Sequence, residues 1–179
     1  MKICIFCGAN SSIDPKVEAL AKELMSDFAA NQVELVYGGA AIGVMGTLAT
    51  DLMVKNGRVT GIIPQHLMKK EVAHGGLTEL IVTKDMHERK QLMYKRSDAF
   101  LIFPGGMGTL DELFEIVTWR QLGLHSKPIA ILNINGYYDH LLKFLDHAVA
   151  QGLVTQASRD IIYSSDKWSD IWAHFKHGA

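Results

Sequence analysis

Short, almost wholly apolar runs rich in β-branched residues recur along this chain, and longer amphipathic stretches lie between them. The runs fall at Lys2–Phe6, Glu34–Tyr37, Val59–Ile63, Leu80–Thr83, Ala99–Phe103 and Ile129–Leu132, with a weaker one near Ile161–Tyr163. Apolar spacing predicts helices near residues 15–30, 42–56, 86–96, 109–123, 138–151 and 167–176. A strand that is apolar throughout, rather than alternating, needs cover on both faces. The pattern therefore predicts an α/β fold, a Rossmann-like doubly wound parallel sheet of six or seven strands with helices on both faces. Ligands of such sheets sit at the carboxyl ends of the strands. No repeat, low-complexity tract or long linker interrupts the order, so residues 1–179 are expected to form a single domain. With 48% apolar residues it can bury a core without covalent staples.

Charge narrows the partners. A formal net charge of −1 without a Lys/Arg cluster argues against nucleic acid or an anionic membrane as the main partner and favours a small molecule. Met1–Phe6 reaches a polar glycine turn too soon for a signal peptide, and no run approaches the roughly 18 apolar residues that span a bilayer. A cytoplasmic protein is expected. Cys4 and Cys7 form a C-x-x-C, but it straddles a strand end, where odd spacing sends the thiols to opposite faces, so two reduced cysteines are expected. Trp168, Trp172 and Phe175 read as the docking stripe of the last helix. His174 and His177 sit in the terminal segment, and no metal site stands out.

Three strand ends carry glycine turns. The first, Cys7-Gly8-Ala9-Asn10-Ser11-Ser12, and the second, beginning Tyr37-Gly38-Gly39, lack the G-x-G-x-x-G and distal acid of a dinucleotide site. The second, running on to Thr47, also lacks the G-K-[ST] ending of a P-loop. The third, Phe103-Pro104-Gly105-Gly106-Met107-Gly108-Thr109-Leu110-Asp111-Glu112, joins an apolar strand to a helix and ends in a carboxylate. Glycines admit an anion to the backbone, and the free N–H groups of a helix start point at it. A competing reading takes Thr109 and Glu112 as a capping box that only satisfies backbone donors. Together the turns suit a ligand with one phosphate, a sugar and a base, hence a nucleotide-binding domain.

The block Pro104–Glu112, together with Met86-His87-Glu88-Arg89-Lys90, Gly61-Ile62-Ile63-Pro64 with Glu71 downstream, and Thr118-Trp119-Arg120-Gln121-Leu122-Gly123, resembles the LOG (LONELY GUY) family. These are cytokinin riboside 5'-monophosphate phosphoribohydrolases, often labelled lysine decarboxylases. The resemblance spans nearly the whole chain. It implies hydrolysis of an adenine nucleoside 5'-monophosphate to free base and ribose 5-phosphate, with neither metal nor organic cofactor, by a homodimer. Arg89 and Glu112 are implied as the catalytic pair. Substrate contacts are implied for Glu71, Arg89, Lys90, Gly105, Gly106, Met107, Gly108, Thr109, Leu110, Asp111, Glu112 and Thr118. Met107 fills the variable slot of the motif, and Asp111 stands where many relatives carry Glu.

Glycosidic cleavage passes through an oxocarbenium-like state, which a carboxylate stabilises while orienting or deprotonating water. Glu112 suits that role. Arg89 stays protonated and so serves as a donor, to base or to phosphate. Glu115, three residues on, is either a partner to the site or an exposed charge. A non-catalytic nucleotide or molybdenum cofactor carrier is the rival reading, and it has no need of a carboxylate beside the cradle.

Overall fold

The computed structural model describes residues 1–8, 14–68 and 73–178. Seven strands, β1 (Lys2–Phe6), β2 (Glu34–Tyr37), β3 (Val59–Pro64), β4 (Glu79–Thr83), β5 (Ala99–Ile102), β6 (Ile129–Leu132) and β7 (Ile162–Ser165), form one sheet. All pair in parallel, in the order β4-β3-β2-β1-β5-β6-β7. The helices are α1 (Pro15–Ala30), α2 (Gly43–Val54), α3 (Met86–Lys95), α4 (Met107–Gln121), α5 (Asp139–Ala150), α6 (Gln156–Arg159) and α7 (Trp168–His177).

Strand alternation sorts the core into two layers. Ile3, Ile5 and Cys7 face α1, α2 and α7, while Cys4 and Phe6 face α3, α4 and α5. The same division runs along β5, where Ala99 and Leu101 join the first layer and Phe100 and Ile102 the second. Both cysteines are free and buried, on opposite faces as their spacing predicts. The expectation of strands covered on both sides holds for the central ones. The edge strand β4 departs from it, because only one neighbour pairs with it and Leu80 and Val82 remain exposed.

Two local readings change. The four-residue α6, capped by the Thr155 hydroxyl, has too few residues for an apolar period and gave no periodic signal. α4 begins at Met107 rather than Thr109, with Gly106 as its N-cap and no side-chain cap. Thr109 and Glu112 therefore lie inside the helix, and the capping-box reading fails.

The last helix docks through the expected stripe. Phe175 is fully buried and meets Trp168 edge-on at 6.3 Å between ring centroids, and Trp168 in turn packs on Phe28 of α1 at 5.5 Å. Phe175→Ala is expected to cost about 3–5 kcal/mol of unfolding free energy in a urea titration. Leu153→Ala, at a side chain 84% exposed, should stay within about 0.5 kcal/mol.

Candidate active site

The strand order reverses between β1 and β5. The chain moves outward from β1 through β2 and β3 to β4, then returns through α3 to β5 on the other side of β1. Connections leave on opposite faces there, and a crevice opens at the carboxyl ends. A cavity of about 760 Å³ occupies it. Its walls are the residues just after β1 (Cys7, Gly8), the start of α1 (Asp14, Val17), the first turn of α2 with the residue before it (Ile42, Val44, Met45), α3 (Met86, Arg89), the β5–α4 turn and the loop after β6.

The turn sits as the glycine pattern predicts. Gly105, Gly106, Gly108, Thr109, Asp111 and Glu112 all line the cavity. Because Gly106 supplies no side-chain cap, the first amides of α4 are left to bond outside the helix. Thr109 is buried, and Glu112 lies three residues further on the same helix face, 6% exposed.

Arg89 enters from α3 and is 4% exposed. Its Nε donates to the Ile62 oxygen and its Nη2 to the Gly38 oxygen, each at 3.1 Å, while Nη1 lies 3.8 Å from the Met86 sulfur. These partners are neutral, so they orient the guanidinium without cancelling its charge. Position 38 must be glycine for this, because a Cβ there would collide with Arg89 Nη2.

The next residue has a different task. Lys90 Nζ bonds Glu115 at 2.9 Å and Asp111 at 3.2 Å, tying α3 to α4 with its side chain only 12% exposed. Glu115 is thus an ion-pair partner rather than an idle surface charge. Lys90 does not line the cavity. Met107, 86% exposed, does not line it either, and Leu110 packs into the α3–α5 layer. Thr118 is exposed on the outer side of α4, where its hydroxyl donates to the Phe114 oxygen at 2.7 Å. Glu71 lies outside the described residues.

Cys7 also lines the cavity. Burial first, and then the negative charge of Glu112, push its thiol far above the ordinary range, so it is no nucleophile at neutral pH. Among the described residues no group of three or more His, Cys, Asp and Glu could hold a metal ion, and no helix is long and apolar enough to cross a membrane. The loop Ile134, Asn135 and Tyr137 is a wall that the motif reading missed. Its one signal is the Asn135-Gly136 turn, placed on the ligand rim by the strand before it.

Residues 45–175 match the family described as "Possible lysine decarboxylase". Cytokinin riboside 5'-monophosphate phosphoribohydrolase LOG1 of Arabidopsis thaliana is 42% identical over 170 residues, covering 95% of this chain and 80% of that protein. The Rhodococcoides fascians cytokinin riboside 5'-monophosphate phosphoribohydrolase is 46% identical over 158 residues, 88% of this chain and 80% of its own. The chain belongs to the LOG family. Among solved structures, the molybdenum cofactor binding protein of Rippkaea orientalis superposes with a TM-score of 0.73 at 20% identity, over 98% of this chain and 95% of its own. The Moco carrier protein of Chlamydomonas reinhardtii gives 0.72 at 17% identity, over 99% and 96%. At that identity the likeness is one of fold.

Burial pulls the Lys90 pKa down, but the bonds to Glu115 and Asp111 outweigh it and hold the pKa above the ordinary lysine value. A raised folded-state pKa means stability that is complete below the unfolded value and is lost as pH rises through the folded one. The difference in unfolding midpoint between wild type and Lys90→Met should therefore stay constant from about pH 6 to 9 and shrink above about pH 10.5. A gap that widens with alkalinity would show that this bridge is not what Lys90 contributes.

Proposed function

We propose that the protein hydrolyses the N-glycosidic bond of adenine nucleoside 5'-monophosphates, with or without an N6 substituent, to free base and ribose 5-phosphate. The observation that carries this reading is Glu112, a buried carboxylate in the cavity about one turn beyond Thr109, in a helix whose start at Met107 has no side-chain cap. Roughly 5 Å separates successive turns, comparable to the reach from a 5'-phosphate to the anomeric carbon. The phosphate would take the amides of Gly105 to Thr109, where the helix dipole favours an anion. Sharing that mouth with a carboxylate would be repulsive, so the sugar faces Glu112.

In the reaction the bond from the anomeric carbon to the base nitrogen breaks, and its electron pair leaves with the base. Positive charge develops on the sugar, Glu112 stabilises it, and a water held by the same carboxylate passes it a proton as the water oxygen bonds the anomeric carbon; that proton then goes to the departed base nitrogen, giving the neutral base. Arg89 donates a hydrogen bond to the departing base or to the phosphate. Val17, Ile42, Val44, Met45 and Leu67 give the cavity an apolar side suited to the base and to an apolar N6 tail. Among the residues expected to contact substrate, Arg89, Gly105, Gly106, Gly108, Thr109, Asp111 and Glu112 are proposed to do so within one chain. Two free, buried thiols fit a reducing cytoplasm.

A carrier of nucleotide or molybdenum cofactor is the weaker reading, since only the fold likeness favours it. Glu112→Gln separates the two. It keeps shape and most hydrogen bonding but deletes the charge, so adenine release from AMP should fall by on the order of 10² to 10⁴ in kcat while AMP still binds. A variant keeping more than about a tenth of wild-type turnover would sink the assignment of Glu112.

We further propose a homodimer through the outer side of α4. Phe114 and Leu122, exposed at 38% and 67%, flank Thr118 at one-turn spacing, and the exposed Leu124 follows. Thr118, outside its own chain's cavity, would then contact substrate across the interface. Light scattering should show two chains per particle, and Leu122→Glu should shift it toward one. A fully active single chain at all dilutions would refute the dimer.

A further inference from the structure

Three successive carbonyls in the β5–α4 turn are each held by a donor. Tyr138 Oη donates to the Phe103 oxygen at 2.9 Å, the Gly8 N–H to the Pro104 oxygen at 3.1 Å, and Tyr137 Oη to the Gly105 oxygen at 2.9 Å. The chemistry proposed above uses neither tyrosine. In a trans peptide the C=O and N–H point opposite ways, and the described residues contain no cis peptide. Anchoring the Pro104 and Gly105 oxygens therefore also sets the directions of the Gly105 and Gly106 N–H groups. An anion is drawn by amides and repelled by carbonyl oxygens, so these directions decide whether the turn is a cradle or a barrier.

The Gly105–Gly106 peptide has the greatest need of an anchor. A Cβ on Gly105 would strike Thr109 Oγ1 and the Gly8 nitrogen, so that residue is hemmed in. Around Gly106 nothing lies within 4 Å of where a Cβ would sit. Crowding does not restrain it, and glycine on both sides of a peptide lets it turn over easily. The Tyr137 hydroxyl holds the oxygen of that peptide.

The β6–α5 loop is folded to deliver both hydroxyls. Asn135 adopts φ 52° and Gly136 φ 70°, reversing the chain directly after β6. The Asn133 side chain accepts from the Tyr138 N–H at 2.8 Å and donates to Asp139 at 2.7 Å. The two rings meet edge to face, 4.8 Å between centroids. Tyr138 is buried, and burial raises its phenol pKa far enough to keep it a donor. Tyr137 is 55% exposed and lines the cavity.

We propose that Tyr137 and Tyr138 are positioning residues that lock the carbonyls of the β5–α4 turn, so that its amides face the phosphate of the bound nucleotide. This rests on the nucleotide reading of the cavity, and it makes a loop absent from the motif part of the phosphate site. The probes are inorganic phosphate, AMP and adenosine, titrated calorimetrically into the full chain. Tyr137→Phe keeps the ring and removes the hydroxyl. It should weaken inorganic phosphate and AMP about five- to tenfold, the worth of one hydrogen bond, and leave adenosine within about twofold. In turnover it should raise KM for AMP while kcat stays within about threefold, since the phosphate is bound equally in ground and transition states. Tyr138→Phe should act in the same direction. Should that buried variant fail to fold, the half-exposed Tyr137→Phe decides alone.

Equal weakening of adenosine and AMP would mean that the hydroxyl serves general stability or touches the ligand elsewhere, and the proposal falls. Unchanged phosphate affinity in Tyr137→Phe also overturns it. Failure of the hydrolase reading looks different: a wild type that releases no base from AMP, yet binds phosphate in a Tyr137-dependent way, supports the clamp and refutes hydrolysis.

Discussion

The parallel pairing of β1 with β5 is the contact on which the rest of the molecule depends. It joins Ile3 to Ala99 and Phe6 to Ile102, segments far apart in sequence, and it is where the sheet changes direction. Because α1 follows β1 and α4 follows β5, the two helices leave this seam toward opposite layers of the core. The gap between them is the cavity. The bond from the Gly8 N–H to the Pro104 oxygen continues the pairing one step past the strand ends. It therefore fixes the glycine turn by the same ladder that builds the sheet.

Charge is distributed around that seam with little redundancy. Arg89 and Lys90 are adjacent on α3, about 100° apart on the helix, and this angle sends one to the sheet and the other to α4. Arg89 meets two neutral carbonyls and keeps its charge for the cavity, whereas Lys90 meets two carboxylates and serves the joint between helices. Cys7 is kept protonated by burial and by Glu112. Arg89 and Glu112 both line the cavity, with Asp14, Asp111 and the start of α4 at its mouth.

Much of this was legible in the sequence, because the layers follow from strand periodicity and the site from glycine turns at strand ends. The apolar runs placed all seven strands, and of the turn residues Gly105, Gly106, Gly108, Thr109, Asp111 and Glu112 reached the cavity together while Met107 and Leu110 did not. What escaped was set by geometry that sequence spacing does not carry. Thr109 followed by Glu112 fits a capping box by pattern alone, and only the start of α4 at Met107 removes it. The roles of Tyr137 and Tyr138 depend on which carbonyls lie within reach of β6, some thirty residues from the turn in sequence. Thr118 carries the family motif yet faces outward, a placement that a single chain's sequence has no way to express.

The fold shared with molybdenum cofactor proteins does not decide between carrier and catalyst, since a glycine turn at a switch point supplies an anion mouth to either. The carboxylate does bear on it. Two unit charges roughly 5 Å apart repel by about 3 kcal/mol at an effective dielectric of 20, so a pure phosphate binder would gain affinity by lacking Glu112. That repulsion turns to advantage where the ligand becomes positive next to the carboxylate while its phosphate stays anchored at the helix mouth. An oxocarbenium-like sugar does so, and a stored cofactor does not.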